Sequence, residues 1–158
     1  MSGASHRDGG AVTGALARAS HAEIIPDGLH VERAAFEAAR RAIPGLYGVT
    51  DGTAAVGMPD GVYRLGSHEV RRRGGRVTLP DGTLAGSCLD ARAMVAVLRG
   101  WELDWPDIAR LVAEVPARWI GADGLGRIER GARAHWLEVR GERPVALWLD
   151  GARAELAA

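Results

Sequence analysis

A single strand–helix–strand unit near the start of the chain is the feature that most limits its fold. The apolar residues 22–25 and 46–49 are predicted strands, and the Ala-rich residues 31–42 between them form a predicted helix, with Arg40-Arg41 near its end. Such a unit makes a parallel pair of strands. Two parallel strands cannot close a barrel, which needs eight, and alone both would have unpaired edges. The chain is therefore either an unusual small α/β domain or the back part of something larger.

The rest of the chain predicts antiparallel hairpins and two further helices. Turn signals separate short alternating segments, which predicts strands over residues 63–65, 69–72, 76–79, 134–139 and 145–149. An Asp150-Gly151 turn follows the last of these. A helix is predicted over residues 89–99. Another opens at the Asp104 cap and runs to about Glu114, where Pro116 limits it.

Composition excludes several classes of protein. Twenty acidic and twenty basic residues cancel, so nothing indicates a partner that is a nucleic acid or an anionic membrane. The only cysteine, Cys88, excludes an internal disulfide framework. The N-terminus does not resemble a signal peptide, and no apolar run is long enough to span a bilayer. We expect a cytoplasmic protein.

Two candidate functional residues stand at the ends of the predicted parallel strands. Asp51 follows residues 46–49, and a barrel enzyme presents a catalytic carboxylate at the C-terminal tip of a parallel strand. His30 follows Asp27-Gly28-Leu29 beyond the preceding strand. Simpler interpretations exist for both residues, since Asp often caps turns and His30 can cap the helix after it. For Asp51, spacing alone favours the turn-capping interpretation. A third segment, residues 81–87, is a predicted glycine-punctuated loop that could approach a ligand closely.

Seven short motifs, in order along the chain, resemble the C-terminal portion of N-acetylglucosamine-6-phosphate deacetylase, an amidohydrolase-superfamily barrel with a small β-sandwich. They are His6-Arg7-Asp8-Gly9-Gly10, Ile25-Pro26-Asp27-Gly28-Leu29-His30-Val31, Val49-Thr50-Asp51-Gly52-Thr53-Ala54-Ala55, Tyr63-Arg64-Leu65-Gly66, Asp81-Gly82-Thr83-Leu84-Ala85-Gly86-Ser87, Pro116-Ala117-Arg118 and Gly126-Arg127-Ile128. Each motif is weak alone, but seven in order across nearly the whole chain are specific.

The resemblance implies an α/β fold: the last two parallel βα strands of a metal-dependent hydrolase TIM barrel plus antiparallel hairpins of a small β-sandwich domain. On this basis the chain divides into four parts. Residues 1–56 hold partial TIM-barrel strands and helices, 57–88 a β-hairpin insertion, 89–120 closing barrel helices, and 121–158 part of the C-terminal β-sandwich.

The resemblance also implies a role for each candidate residue in deacetylating N-acetyl-D-glucosamine 6-phosphate to D-glucosamine 6-phosphate and acetate. Asp51 would be catalytic, moving a proton from the attacking water to the departing nitrogen. Arg7 would bind the sugar phosphate, although among twenty Arg residues a surface role is the simpler interpretation. The other implied substrate-binding residues are Asp27, Gly28, Leu29, His30, Leu84, Ala85 and Gly86. For Leu84, Ala85 and Gly86 the alternative is an ordinary turn.

The resemblance places the catalytic metal outside this chain. A divalent metal, expected to be zinc, would be held by a Glu and two His residues from earlier barrel strands, so we predict no metal ligand here. Met1 falls where a family motif ends, which we interpret as an internal methionine used as a start or the edge of a truncated gene.

Three hypotheses stay open from the sequence. The chain is an enzyme fragment that is inactive alone, the non-catalytic half of a split enzyme or a stand-alone interaction domain, or a deacetylase fragment for another N-acetylated amino-sugar phosphate. The expected partners are an amino-sugar phosphate and either a second copy of the chain, as a homodimer, or the missing N-terminal half.

Overall fold

The computed structural model describes residues 9–141 and 143–156, which form two compact units divided between Ile108 and Ala109. The first unit contains a parallel pair of strands, a four-stranded antiparallel sheet and helices. The second contains a helical segment and a three-stranded antiparallel sheet. The prediction of a mixed α/β chain with antiparallel hairpins is confirmed. Among the described residues, no helix has the length and apolar composition required to cross a membrane.

The elements of the first unit follow one another with short connections. They are α1 (Gly10–Arg18), β1 (His21–Ile24), α2 (Arg33–Ala42), β2 (Gly45–Gly48), β3 (Gly61–Leu65), β4 (His68–Arg73), β5 (Arg76–Thr78), β6 (Leu84–Ser87), α3 (Ala91–Gly100) and α4 (Trp105–Ala109). The last residue of α4 is the first of the second unit.

Strands β1 and β2 pair in parallel, as predicted, with His21 opposite Gly45 and Ile24 opposite Gly48. The backbone N–H of Val49 donates to the carbonyl of Ile24 and extends the pairing by one bond. Helix α3 packs directly on β2, since a Cβ atom at Gly48 would lie 2.9 Å from the Sδ atom of Met94.

Helix α2 anchors the loop that follows β1. Its inward face buries Phe36 and Ala39 completely or nearly so. The ring of Phe36 lies 5.0 Å from that of Trp101, just after α3, and the Trp101 ring is also close to Gly28 in the loop. An ion pair of 2.8 Å between Arg40 and Asp107 joins α2 to α4.

Strands β3 to β6 form an antiparallel sheet in chain order around a small core of Ala55, Val70 and Val77. The prediction of a loop over residues 84–86 is wrong, because they form β6, whose Leu84 pairs with Thr78. Beyond its own sheet, β6 makes an isolated parallel bridge from Ser87 to Gly52, just after β2. The antiparallel sheet is thereby attached to the end of the parallel pair.

The second unit begins with a helix that continues past Pro116. After α4 comes a π-helical segment, Arg110–Glu114, and then α5 (Val115–Trp119). The prediction that Pro116 limits the helix is wrong. Proline has no N–H to donate and its ring displaces the carbonyl four residues earlier. The wider π-helical turn before Pro116, where Val115 donates to the carbonyl of Arg110, accommodates both effects.

The sheet of the second unit is an antiparallel meander of β7 (Trp136–Arg140), β8 (Arg143–Leu149) and β9 (Ala152–Glu155). The predicted turn at Asp150 and Gly151 joins the last two strands, with Leu149 opposite Ala152. The rings of Trp136 and Trp148, on neighbouring strands, lie 5.7 Å apart.

Replacing Phe36 with Ala should destabilise the first unit by about 3–5 kcal/mol, because it removes a fully buried ring from the contact with Trp101. Urea unfolding measures this loss. Val62→Ala is the matched control, since Val62 is 58% exposed on β3 and its truncation should cost less than about 1 kcal/mol. Equal losses in the two variants would contradict the assigned core.

Candidate functional site

The register of β1 and β2 places two carboxylates at the same end of the parallel pair. Ile24 lies opposite Gly48, and Asp27 and Asp51 each follow three residues later along their strands. In α/β folds, side chains beyond the carboxyl ends of parallel strands line the ligand crevice. The two acids that the sequence singled out are therefore brought to one edge.

Asp27 organises the loop between β1 and α2. Its Oδ1 atom accepts the backbone N–H groups of Leu29 and His30, both at 2.8 Å, and its Oδ2 atom lies 2.7 Å from the Nδ1 atom of His30. Only 6% of the Asp27 side chain is exposed, against 20% for His30. His30 therefore does not cap the helix, whose N-cap is Glu32, but is held by Asp27.

The charge of Asp27 follows from these contacts. Burial alone acts to raise the pKa of its carboxyl group, but the hydrogen bonds from the His30 side chain and from the backbone of His30 and Leu29 outweigh burial. The pKa of Asp27 is consequently lowered, and the group is a carboxylate at neutral pH.

An ionised Asp27 fixes what His30 offers to a ligand. A carboxylate can only accept, so the proton of the hydrogen bond belongs to Nδ1 of His30. The Nε2 atom is then an acceptor when the ring is neutral and a donor when it is protonated. With its ring partly exposed, His30 can present this atom to a substrate.

Asp51 has a different environment, because it is exposed and its backbone is left-handed, with φ of 47°. Only a few per cent of non-glycine residues have positive φ, and such residues cluster at functional sites. The carbonyl of Asp51 accepts the N–H of Ser87 at 3.0 Å. A Cβ atom at Gly86 would lie 3.6 Å from Oδ2 of Asp51, so the carboxylate lies against β6.

The candidate residues thus form two local groups: Asp27 with Leu29 and His30, and Asp51 with Gly86. Within residues 9–141 and 143–156, neither a hydrogen bond nor an ion pair joins the two groups. Gly28 lies in the first group with φ of 75°, and Leu29 is 37% exposed. Leu84 and Ala85 are partly buried in β6. Arg7 lies outside the described residues.

The described residues do not form a metal site by themselves. No three His, Cys, Asp or Glu side chains in this part of the chain lie close enough together to hold an ion. The donor set of the first group, one carboxylate already bound to one imidazole, does not fit a divalent cation, which takes four or more ligands. The expected divalent metal, zinc, therefore rests on the resemblance of the sequence motifs alone.

Three residues near the candidate site were not identified from sequence. Ser87 hydrogen-bonds to the backbone on both sides of Gly52. Its N–H donates to the carbonyl of Asp51, and its carbonyl accepts the N–H of Thr53 at 2.9 Å. Trp101 lies beside the Asp27 loop, since a Cβ atom at Gly28 would lie 4.0 Å from its Cζ2 atom. Ser87 and Thr53 both lie inside the sequence motifs, but the hydrogen bond between them forms only in the folded chain.

Relatives with similar sequences are named as deacetylases of amino-sugar phosphates. A protein of Escherichia coli strain K12, provisionally named an N-acetylgalactosamine-6-phosphate deacetylase, is 36% identical, and the match covers 96% of this chain and 93% of that protein. The N-acetylgalactosamine-6-phosphate deacetylase of E. coli O157:H7 is also 36% identical. There the match covers 96% of this chain but 41% of the relative, so the chain spans well under half of that protein.

A solved structure agrees with the sequence relatives. The crystal structure of N-acetylglucosamine-6-phosphate deacetylase from Thermotoga maritima matches with a TM-score of 0.87 and 27% identity, over 96% of this chain and 43% of that one. The matched part is the C-terminal portion of the longer proteins. No family model matches the chain.

Asp27→Asn should change which ring nitrogen of His30 carries the proton. The amide oxygen can still accept the two backbone N–H groups, but its NH₂ would then face Nδ1 and favour the tautomer protonated at Nε2. The ¹⁵N chemical shifts of the neutral His30 ring measure this change of tautomer. His135, which is bonded through Nε2 to Asp150, is an internal control that should not change. A wild-type His30 already protonated at Nε2 would contradict the assignment.

The lowered pKa of Asp27 also predicts a pH dependence of stability. The carboxylate contributes stability above its unfolded pKa of 3.8, and this contribution is lost as pH falls through the lower folded pKa. The difference in unfolding free energy between wild type and Asp27→Asn should therefore shrink as pH falls below 3.8. Urea titrations between pH 2 and pH 7 test this. Asp90→Asn is the control variant, because Asp90 is the N-cap of α3 and Asn is an equally good N-cap residue.

Proposed function

The chain belongs to the family of N-acetylglucosamine-6-phosphate and N-acetylgalactosamine-6-phosphate deacetylases, and from this premise we propose that it supplies the proton-transfer and substrate-binding side of such an enzyme. The reaction would hydrolyse the acetamide of an N-acetylated amino-sugar 6-phosphate, giving the free amino-sugar phosphate and acetate. The observation that carries the proposal is the common placement of Asp27 and Asp51, each three residues beyond paired ends of parallel strands.

Asp51 is the proposed general base and acid. In amide hydrolysis, water adds to the acetyl carbon and loses a proton, and the C–N bond then breaks as the nitrogen gains one. A carboxylate can take the first proton and deliver the second, which regenerates the carboxylate. The exposed position of Asp51, at a strand tip and in a held backbone conformation, supports this role.

His30 is the proposed hydrogen-bonding partner of the substrate near the acetamide. Asp27 holds its Nδ1 atom, so the ring cannot turn away without breaking a 2.7 Å contact. The free Nε2 atom is the one that would meet the substrate. Asp27 acts through His30, while Gly28 and Leu29 would shape the wall of the sugar pocket beside it.

The remaining substrate contacts are proposed for β6 and the N-terminal segment. Leu84, Ala85 and Gly86 would offer backbone groups to the sugar, next to Asp51. Arg7 would bind the phosphate, because a guanidinium group donates two parallel hydrogen bonds to phosphate oxygens.

The metal of this family is proposed to be held by polypeptide outside this chain. The described residues do not supply a ligand set, and the longer relatives contain more than half of their length outside the matched part. We therefore propose that the chain is inactive alone and becomes active with the N-terminal part of such an enzyme. The partner would also pair with the edge of β1 that faces away from β2.

A second candidate function is that of a stand-alone interaction domain. It is favoured by the K12 relative, whose length is almost completely covered by this chain. A homodimer in which the second copy covers the edge of β1 belongs to this candidate.

The sugar epimer on which the complete enzyme would act also stays open, since relatives are named for both epimers. The cytoplasm stays the predicted compartment.

We predict that the purified chain has no deacetylase activity and gains it when combined with the N-terminal part of a full-length family member. A coupled assay of acetate release, with both sugar epimers and added zinc, measures this. In the reconstituted enzyme, Asp51→Asn should lower kcat by about 10²–10⁴-fold, with KM little changed, because it removes only proton transfer.

Asp81→Asn is the control for that substitution, since Asp81 is a carboxylate exposed in the turn before β6. Metal-dependent turnover by the chain alone would contradict the proposed division of the site. Full turnover by the reconstituted Asp51→Asn enzyme would remove Asp51 from the mechanism.

A further inference from the structure

We propose that Ser87, Gly86 and Thr53 are positioning residues for Asp51, so that the antiparallel sheet β3–β6 sets the direction of the catalytic carboxylate. The proposal rests on the function proposed above only in assigning proton transfer to Asp51. Its evidence is the set of contacts between the end of β6 and residues 51–53.

The backbone of Asp51 requires an external hold. Left-handed conformation is unfavourable for an L-residue, because its Cβ atom then lies too close to the following carbonyl oxygen, although Asp tolerates it better than most residues. Without restraint, an exposed Asp after a strand would relax to negative φ and direct its carboxylate elsewhere. The surrounding structure must therefore contribute bonds that exist only when Asp51 has this conformation.

Ser87 supplies those bonds from both of its backbone groups. Its N–H donates to the carbonyl of Asp51 at 3.0 Å, and its carbonyl accepts the N–H of Thr53 at 2.9 Å. Together they bracket Gly52 in a parallel bridge. Ser87 is itself fixed, because it is 4% exposed and its Oγ atom accepts the N–H of Leu89 at 2.8 Å.

Gly86 leaves room for the side chain of Thr53, beside the carboxylate of Asp51. A Cβ atom there would lie 2.6 Å from Cγ2 of Thr53 and 3.6 Å from both the carbonyl oxygen and Oδ2 of Asp51. The first distance is shorter than any normal contact, so a side chain at Gly86 would displace Thr53. Because Thr53 is bonded to Ser87, that displacement would reach the bonds that hold Asp51.

Gly86→Ala in this chain tests the coupling, and Gly82→Ala is a matched control. Both glycines have positive φ, 77° and 87°, but a Cβ atom at Gly82 meets nothing within 4 Å. Both variants therefore carry the same kind of backbone strain, and only Gly86→Ala adds the collision with Thr53. Any effect of Gly86→Ala that exceeds the effect of Gly82→Ala is therefore due to the contact with Thr53.

Three NMR observables report the state of Asp51 without requiring activity. They are the ¹³Cγ shift of its carboxylate, its one-bond Cα–Hα coupling, which depends on the sign of φ, and hydrogen exchange of the Ser87 amide relative to amides of β3 and β4. Gly86→Ala should change the first two. It should also increase the hydrogen-exchange rate of the Ser87 amide, relative to amides of β3 and β4, by about tenfold, the factor that corresponds to 1.4 kcal/mol. Gly82→Ala should leave all three at wild-type values.

The conservative rescue is Thr53→Ser in the Gly86→Ala background. Serine lacks the Cγ2 atom that collides with the new Cβ but keeps the Oγ that accepts the N–H of Ala55. The double variant should recover the wild-type signals of Asp51. A structural role alone would change stability in both glycine variants without a signature at Asp51.

The proposal is overturned if Gly86→Ala affects Asp51 no more than Gly82→Ala does, or if Thr53→Ser fails to restore its signals. These outcomes are separate from the failure of the proposed function. An inactive reconstituted enzyme with a normal coupling between Gly86 and Asp51 would reject the reaction and leave the positioning intact.

Discussion

The parallel hydrogen bonding of His21–Ile24 with Gly45–Gly48 places both candidate acids, and the rest of the site is built around it. A slip of one residue between these strands would send every side chain on one of them to the opposite face. The pairing is short, so it depends on outside support. Helix α3 packs against Gly48, and the contact of Phe36 with Trp101 holds the loop beyond β1.

The two acids at this edge have opposite environments, which suits them to different tasks. Asp27 is buried and its oxygens accept three hydrogen bonds, so its charge and position are both constant near neutral pH. Asp51 is exposed, and its backbone rather than its carboxylate is held. A group that orients another side chain benefits from the first environment. A group that must accept and release a proton benefits from the second.

Local sequence signals predicted much of the fold, and non-local contacts account for what they did not predict. The turn at Asp150 and Gly151 and the first parallel unit follow from neighbouring residues, so both could be anticipated. Strand β6 could not, since Gly86 interrupts its pattern, and its bridge from Ser87 to Gly52 joins residues that are far apart in the sequence. Helix continuation past Pro116 depends on a π-helical turn that no residue type announces. The motifs located Asp51 and His30, but the hold of Ser87 on Asp51 exists only after folding.

The bridge between Gly52 and Ser87 has a consequence for how the chain tolerates change. The polypeptide leaves the parallel pair after Asp51, builds four antiparallel strands, and returns to the point from which it left. The two ends of this segment therefore lie side by side, and the entropic cost of closing a loop increases only slowly with its length. Hairpins within β3 to β5 could therefore grow, shrink or be exchanged during evolution while the exit strand remains. New chain termini opened at the Gly74-Gly75 turn would likewise leave the acid at the strand tip in place.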